Sequence, residues 1–348
     1  MTEVIEEKEI GLFHKYPSIE NSYRQEWVDK VKLNGYGDIQ YCVTEKIHGS
    51  NTQIDYNRKT GEFEYCRRTG KLEPGEACYN VQSCFDEIKE AVVDLANYLA
   101  PTVKGDLEAV KVYGEIFGGS YPHPDVKKDN HASKVQKGVV YSPSNQWKAF
   151  DIAYTLVGDE TNYFLCGEDF FLACNAVGID TVPLLAVKNS LNEALEYPND
   201  GESVVYEHYG LPKLEDNIME GVVIKPWKVD AWIGMSRVIF KNKNERFKEK
   251  SHEKKVDVQK EVPEIVKQAM QEISAYATEN RVNNIISHLG EVTVEDFGKI
   301  LGMTAKDALE DYKKDYGTLN QMEKVEEKMV TKYLQNEVAK VVRQVLLK

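Results

Sequence analysis

Hydrophobic and polar positions follow two different periods along this chain, and the change falls near residue 250. Before about residue 243, short segments alternate at the two-residue spacing of strands or run as brief apolar blocks between turns. They are IQYCVTEKI (39–47), NTQIDYN (51–57), GEFEYCRR (61–68), VKVYGEIF (110–117), KAFDIAYTL (148–156) and GVVIKPW (221–227). Two stretches carry helical spacing instead, Cys84 to Leu99 and Glu168 to Ala176. Between Gly118 and Gln146 the pattern lapses into Gly, Pro, His, Lys and Ser. That piece reads as an excursion or hairpin beside a strand, a kind of loop that often carries function.

Past about Lys250 the strand signals give way to helical ones. RVNNIISHL (281–289) has apolar residues at 282, 285, 286 and 289, one helical stripe. Thr293 with Asp296 resembles a capping box that opens the helix VEDFGKIL, and Thr304 with Asp307 repeats the pattern. From Met322 on, apolar positions at 322, 325, 329, 333, 334, 338, 341, 342 and 345 predict a long amphipathic helix. The charged stretch 244–262 is therefore read as the boundary between a domain over 1–245 and an all-helical one over 246–348.

Composition narrows this only slightly. At 348 residues the chain can bury two cores, and 42% hydrophobic with 29% charged residues suits a globular protein. The acidic N-terminus, MTEVIEEKEI, is no secretory signal, and no apolar run reaches membrane-spanning length. Cysteines at 42, 66, 78, 84, 166 and 174 form no CxxC pair and no zinc-ligand cluster, so free thiols in a reducing cytoplasm are expected. A net charge of −13 argues weakly against nucleic acid. From Arg237 to Lys260, however, nine Lys/Arg face four Asp/Glu, a local excess of five. Such a stripe is compatible with a confined RNA site, though composition alone favours a solvated charged segment.

Six short motifs carry the chemistry. TEKIHGSN (44–51) offers Lys46, a nucleophile only when burial or neighbouring cations favour its neutral amine, and Gly49, where backbone could approach a nucleotide closely. CRRTG (66–70) offers Arg68, whose planar fork suits phosphate. VYGEIFGG (112–119) sets Glu115 in an apolar strand, where a ribose, a metal or an arginine must satisfy it. WKAFDI (147–152) offers Phe150 to stack on a base; strand alternation places Asp151 on the opposite face. MEGVVIKPW (219–227) offers Glu220 and Lys225, which share one ligand only if a bulge or strand end breaks the alternation. VIFKNKN (238–244) puts Lys241 and Lys243 on one strand face, a pairing that an anion would relieve. Each motif alone is as readily a turn, an ion pair or a core strand.

Their order is more telling. K-x-H-G-x-N, R-T-G, Y-G-E, F-D, E-G-x-x-I-K and K-x-K resemble the motif series of the covalent nucleotidyltransferases, which include DNA ligases, RNA ligases and mRNA capping enzymes. EKIHGSN, FHKYPSIEN (13–21) and NRVNNIISHLGEVTVEDFGKILGM (280–303) are similar to the bacteriophage RNA ligase 2 family. YGEIFGGSYPHP and KVQKGVVYSP resemble the related RNA-editing ligases. The resemblance implies an α+β fold, with an adenylation domain of antiparallel sheets and flanking helices followed by a helical RNA-binding domain.

The resemblance also implies roles. Lys46 would attack the α-phosphate of ATP and become lysyl-AMP. Glu45 would line the adenine pocket, Phe150 would stack on adenine and Glu115 would hold the ribose. Lys241 and Lys243 would bind the AMP phosphate, and Lys225 would belong to the cofactor site. Glu220, supported by Asp151, would place Mg²⁺ or Mn²⁺. His48, Asn51 and Arg68 would serve the later transfer of AMP to RNA and the sealing of a nick in double-stranded RNA. Arg281, Asn283 and Lys299 are candidate RNA contacts, with an Arg281–Asp296 salt bridge equally open. A monomer suffices for this chemistry, and no membrane is involved. The competing expectations are a DNA ligase, a GTP-dependent capping enzyme, or an RNA-binding module without catalysis. The first two usually carry a β-rich C-terminal OB-fold, and this C-terminus reads helical.

Overall fold

A computed structural model describes residues 13–76, 78–247 and 263–346. The first twelve residues, and the part of the expected linker and basic stripe over 248–262, lie outside the described residues.

The β-rich part is built on two sheets. The larger has six antiparallel strands in the order Gly70–Lys71, Phe63–Arg67, Ser50–Asn57, Leu107–Gly118, Asn145–Leu156, Asp159–Phe164. The other has five, in the order Glu20–Asn21, Phe240–Lys243, Gly221–Pro226, Tyr41–Glu45, Leu184–Lys188. Only its Glu20–Asn21 edge is parallel to its neighbour. All six strand segments read from alternation are strands, with boundaries within three residues.

The chain passes from one sheet to the other over residues 46–49, between the Tyr41–Glu45 and Ser50–Asn57 strands. The K-x-H-G segment is thus the link that places a side chain between the sheets. Gly49 is needed there for packing: a Cβ would stand 2.1 Å from the Ile116 carbonyl oxygen. The close approach it permits in this structure is to the 107–118 strand.

Helix Val81–Leu99 turns Phe85, Val92, Leu95, Ala96 and Leu99 onto the six-stranded sheet, joined by Phe170, Ala173 and Cys174 of helix Gly167–Val177. Of the 118–146 excursion, residues 119–144 hold no regular element and link the long 107–118 and 145–156 strands, which take up its two ends. It is not idle: Val139 and Tyr141 are buried with Ile47, Phe117 and Phe247 beside the 46–49 link.

Beyond the linker the described chain is helical: Glu264–Ser274, Glu279–Leu289, Phe297–Asp315 and Lys324–Leu346. Ile273, Val282, Ile285, Ile300, Leu334 and Val338 form its core. The Thr293–Asp296 capping box is present, with Asp296 accepting from the Thr293 N–H at 2.9 Å. The Thr304–Asp307 box is not. Both residues lie inside the 297–315 helix, because the buried stripe Ile300, Thr304, Ala308 carries the helix straight through them. Thr304 is wholly buried and Asp307 pairs with Arg281. Arg281 is itself buried, against Asp307 and Asp311 and not Asp296, which removes it from an exposed RNA-contacting face.

Candidate active site

A cavity between the two sheets is lined by Glu45, Lys46, Asn51, Arg68, Glu115, Phe150, Lys225, Lys241 and Lys243. Six separate segments of sequence therefore converge on one space. The Lys46 Nζ donates to Glu220 Oε2 at 2.6 Å. Glu220 Oε1 pairs with Lys243 at 3.0 Å, and His48 Nδ1 lies 3.4 Å from Oε2. Burial alone would raise the Glu220 carboxyl, but Lys46, then Lys243 and His48, hold it well below the usual carboxylate range. Glu220 immediately precedes the Gly221–Pro226 strand. That strand-end position lets it meet Lys46 while Lys225 still reaches the cavity.

A second carboxylate behind the cavity has a different setting. Asp151 is fully buried, with Oδ1 accepting from Lys225 at 3.1 Å and Oδ2 from Arg237 at 2.5 Å and the Tyr16 hydroxyl at 2.8 Å. Burial would raise its carboxyl, but Arg237 and Lys225 outweigh that and keep it below the ordinary value. Arg237, counted at the sequence level in a basic stripe, points inward and is 2% exposed.

Phe150 and Asp151 do not take opposite faces. Tyr113 pairs with Asp151 and Gly114 with Ala149, so Phe150 is the extra residue of a β-bulge. Tyr16 accordingly touches both neighbours: its ring meets Phe150 edge-on at 5.0 Å while its hydroxyl bonds Asp151.

Two other carboxylates, unlike Glu220 and Asp151, line the cavity itself. Glu45 is 1% exposed; one oxygen accepts from the Val204 N–H at 3.0 Å, and Oε1 is buried without a hydrogen-bond partner. Burial pushes its carboxyl up to about 7, against the pull of Ser203 and the Val204 N–H. Glu115 accepts from the Gly49 N–H at 3.1 Å, and burial brings it to about 7, with Lys46 opposing and Glu220 reinforcing. Asn51 Oδ1 is a second buried atom without a hydrogen-bond partner. Lys241 and Lys243 both face the cavity, as their spacing requires.

Several lining residues escaped the sequence reading. Tyr16, Pro17 and Ile19 come from FHKYPSIEN, whose value as a signal was only its likeness to a family. Tyr141, in the excursion, accepts from the His48 N–H at 2.8 Å and so holds the nucleophile link. Asn284 and His288 arrive from the helical part. Asn283, named as an RNA contact, offers its carbonyl to Gln136.

Comparison with known families agrees with this convergence. A family model described as RNA ligase matches residues 39–243, and one described as T4 RNA ligase 2 C-terminal matches residues 246–340. The chain is 30% identical over 165 residues to the mitochondrial RNA-editing ligase 2 of Trypanosoma brucei brucei (strain 927/4 GUTat10.1), covering 43% of this chain and 39% of that protein. It is 25% identical over 353 residues to the mitochondrial RNA-editing ligase 1 of Trypanosoma brucei brucei, covering 84% and 74%. The match thus spans about two fifths of the first relative and about three quarters of the second. A Naegleria gruberi RNA ligase solved with PPi superposes with a TM-score of 0.44 at 17% identity, over 68% of this chain and 57% of that one.

Proposed function

Because this chain belongs to the RNA ligase family, we propose that it is an ATP-dependent RNA ligase that seals 3′-hydroxyl/5′-phosphate nicks in duplex RNA through a lysyl-AMP on Lys46. The observation that carries the nucleotide reading is Glu45 Oε1, an acceptor buried in the cavity wall without a hydrogen-bond partner, one residue from Lys46. A buried acceptor left unmatched costs about 1–3 kcal/mol. The exocyclic amine of adenine supplies the missing donor, whereas guanine presents an oxygen there.

Around that anchor Phe150 stacks on the base and Glu115 takes the ribose. Lys225, Lys241 and Lys243 hold the phosphates, where cations offset the charge that develops in phosphoryl transfer. The Lys46 ammonium gives a proton to solvent, and the amine attacks the α-phosphorus. A phosphorus–nitrogen bond forms, the bond to the β-phosphate's bridging oxygen breaks, and pyrophosphate leaves. An RNA 5′-phosphate oxygen then takes the adenylyl group from Lys46, giving an RNA-adenylate. Finally a 3′-hydroxyl attacks the 5′-phosphorus and AMP departs. His48, Asn51 and Arg68 serve these later steps.

Glu220 suits a divalent ion, since Mg²⁺ takes one or two carboxylates together with substrate phosphate oxygens. When bound, Mg²⁺ or Mn²⁺ supplies charge neutralisation at the phosphates. Asp151 is left to position Lys225 in this reading, because its cations Lys225 and Arg237 are buried, whereas Lys46 beside Glu220 is 21% exposed. The protein acts as a monomer in the cytoplasm, a location supported by six unpaired cysteines. No described helix is long and apolar enough to cross a membrane.

The test is incubation with a divalent ion and ATP labelled at the α-phosphate, beside Lys46→Ala and labelled GTP. Label retained on denatured wild-type protein, absent from the variant and weak with GTP, is the expected result. No label on wild-type protein cleared of bound AMP would overturn the ligase reading, and label from GTP alone would make this a capping enzyme.

A further inference from the structure

We infer that the helical part of the chain contributes two nucleotide-binding residues, Asn284 and His288, so that the docked helix Glu279–Leu289 raises the affinity for ATP in lysyl-AMP formation. The inference rests on the nucleotide reading of the cavity and adds to it. Both side chains line the same cavity as Lys46, Arg68 and Glu115. They are four residues apart on one helix, hence neighbours on one face, while Val282 and Ile285 are buried in the helical core.

The helix is a positioned wall, because hydrogen bonds and ion pairs fix it from two sides. Towards the sheets, the Ser50 hydroxyl donates to the Ser287 carbonyl. The Tyr79 hydroxyl donates to the Gly290 carbonyl at 3.2 Å, and the Gln136 amide to the Asn283 carbonyl at 3.3 Å. Towards the helical core, Arg281 pairs with Asp307 and Asp311 of the next long helix. Asp311 in turn pairs with Arg24, beside the five-stranded sheet, at 3.0 Å. The helix cannot shift without breaking contacts in both parts of the chain.

Its place along the cavity identifies what it meets. Ser287 abuts Ser50, which follows Gly49, the donor to Glu115. Asn51, next in sequence, accepts at its carbonyl from the Arg68 N–H at 3.1 Å. Asn284 and His288 therefore stand at the ribose–phosphate side, with Glu45 held by Val204 elsewhere in the wall. A carboxamide and an imidazole supply hydrogen bonds that suit ribose hydroxyls and phosphate oxygens.

The experiment measures transfer of labelled AMP to the full chain across ATP concentrations, with Asn284→Ala, His288→Ala and, as a control, Lys340→Ala on the exposed face of the last helix. One lost hydrogen bond is worth about 1 kcal/mol, so KM for ATP should rise about fivefold or more in each cavity variant. The maximal rate should change less, the melting temperature should stay near wild type, and Asn284→Gln and His288→Gln should regain part of the affinity. Lys340→Ala should match wild type. Unchanged KM in both alanine variants, with wild-type labelling intact, would overturn the inference. So would a loss that tracks a lowered melting temperature and is not regained by the glutamine variants. Absence of label on wild type and Lys340→Ala alike would instead remove the ligase reading beneath it.

Discussion

Glu220 and Asp151 are both buried carboxylates held by cations, and they differ chiefly in how far those cations reach solvent. The Lys46 and Lys243 side chains around Glu220 are 21% and 9% exposed, while Lys225 and Arg237 around Asp151 are 7% and 1% exposed. Each carboxyl sits below its ordinary value because cations outweigh burial. The cluster around Glu220 reaches solvent through Lys46, while of the two cations around Asp151 only Lys225 meets the cavity. The same local charge balance is thus more open at Glu220, through Lys46, and more closed at Asp151, through Arg237.

The largest expected effect comes from breaking the sealed cluster. Asp151→Ala leaves Arg237 and Lys225 buried without their shared counterion, and removal of one partner from a buried pair costs about 3–5 kcal/mol. Urea unfolding should show that loss, with lysyl-AMP formation falling somewhat further than the folded fraction, because Lys225 also loses its positioning partner. A stable Asp151→Ala protein without labelling activity would reverse the comparison and return Asp151 to the reacting set.

Glu220→Gln should do the opposite. Its lysines can regain water from the cavity, so the unfolding midpoint should move much less than for Asp151→Ala. Labelling from ATP should fall about a hundredfold, as is typical when an electrostatic group at a reacting phosphate or acyl centre is removed. Activity close to wild type at saturating Mg²⁺ would take Glu220 out of the metal and phosphate site.

This contrast was only half legible in the sequence. The order of the motifs, through its resemblance to a known family, brought Lys46, Glu220, Lys241 and Lys243 into one set; strand alternation by itself joined only Lys241 to Lys243. The partners of buried charges were not legible. Nothing in the local pattern around Arg237 or Arg281 says that each turns inward, since a charge run reads the same whether solvated or paired. The opposite-face reading of Phe150 and Asp151 failed for a related reason: a single bulged residue resets the alternation and leaves no mark in composition. Strand segments were readable because several alternating residues vote together. The Thr304–Asp307 pattern failed because two residues cannot outvote the buried stripe of a 19-residue helix. Asn284 and His288 were invisible as site residues, since only the docking of the helix brings them to the cavity.

Glu45 sharpens the comparison as a carboxylate that lines the same cavity yet owes its shift to burial, with no cation to reverse it. Its carboxyl is pushed from the ordinary 4.5 up to about 7, so near neutral pH it is divided between the two forms. The folded chain then holds a proton that the unfolded chain releases between about pH 4.5 and 7, and this group makes the free protein less stable as pH rises through that window. ATP reverses the preference, because the adenine amine donates to the ionised form. KM for ATP in lysyl-AMP formation should be flat above about pH 8. Below about 7 it should rise, approaching tenfold per pH unit. Glu45→Gln should flatten that slope and narrow the preference for ATP over GTP, since an amide can turn its NH₂ towards the guanine oxygen. A slope that survives in Glu45→Gln would assign the titration to Glu115, which burial also brings to about 7, and would leave the base-selecting role of Glu45 without support.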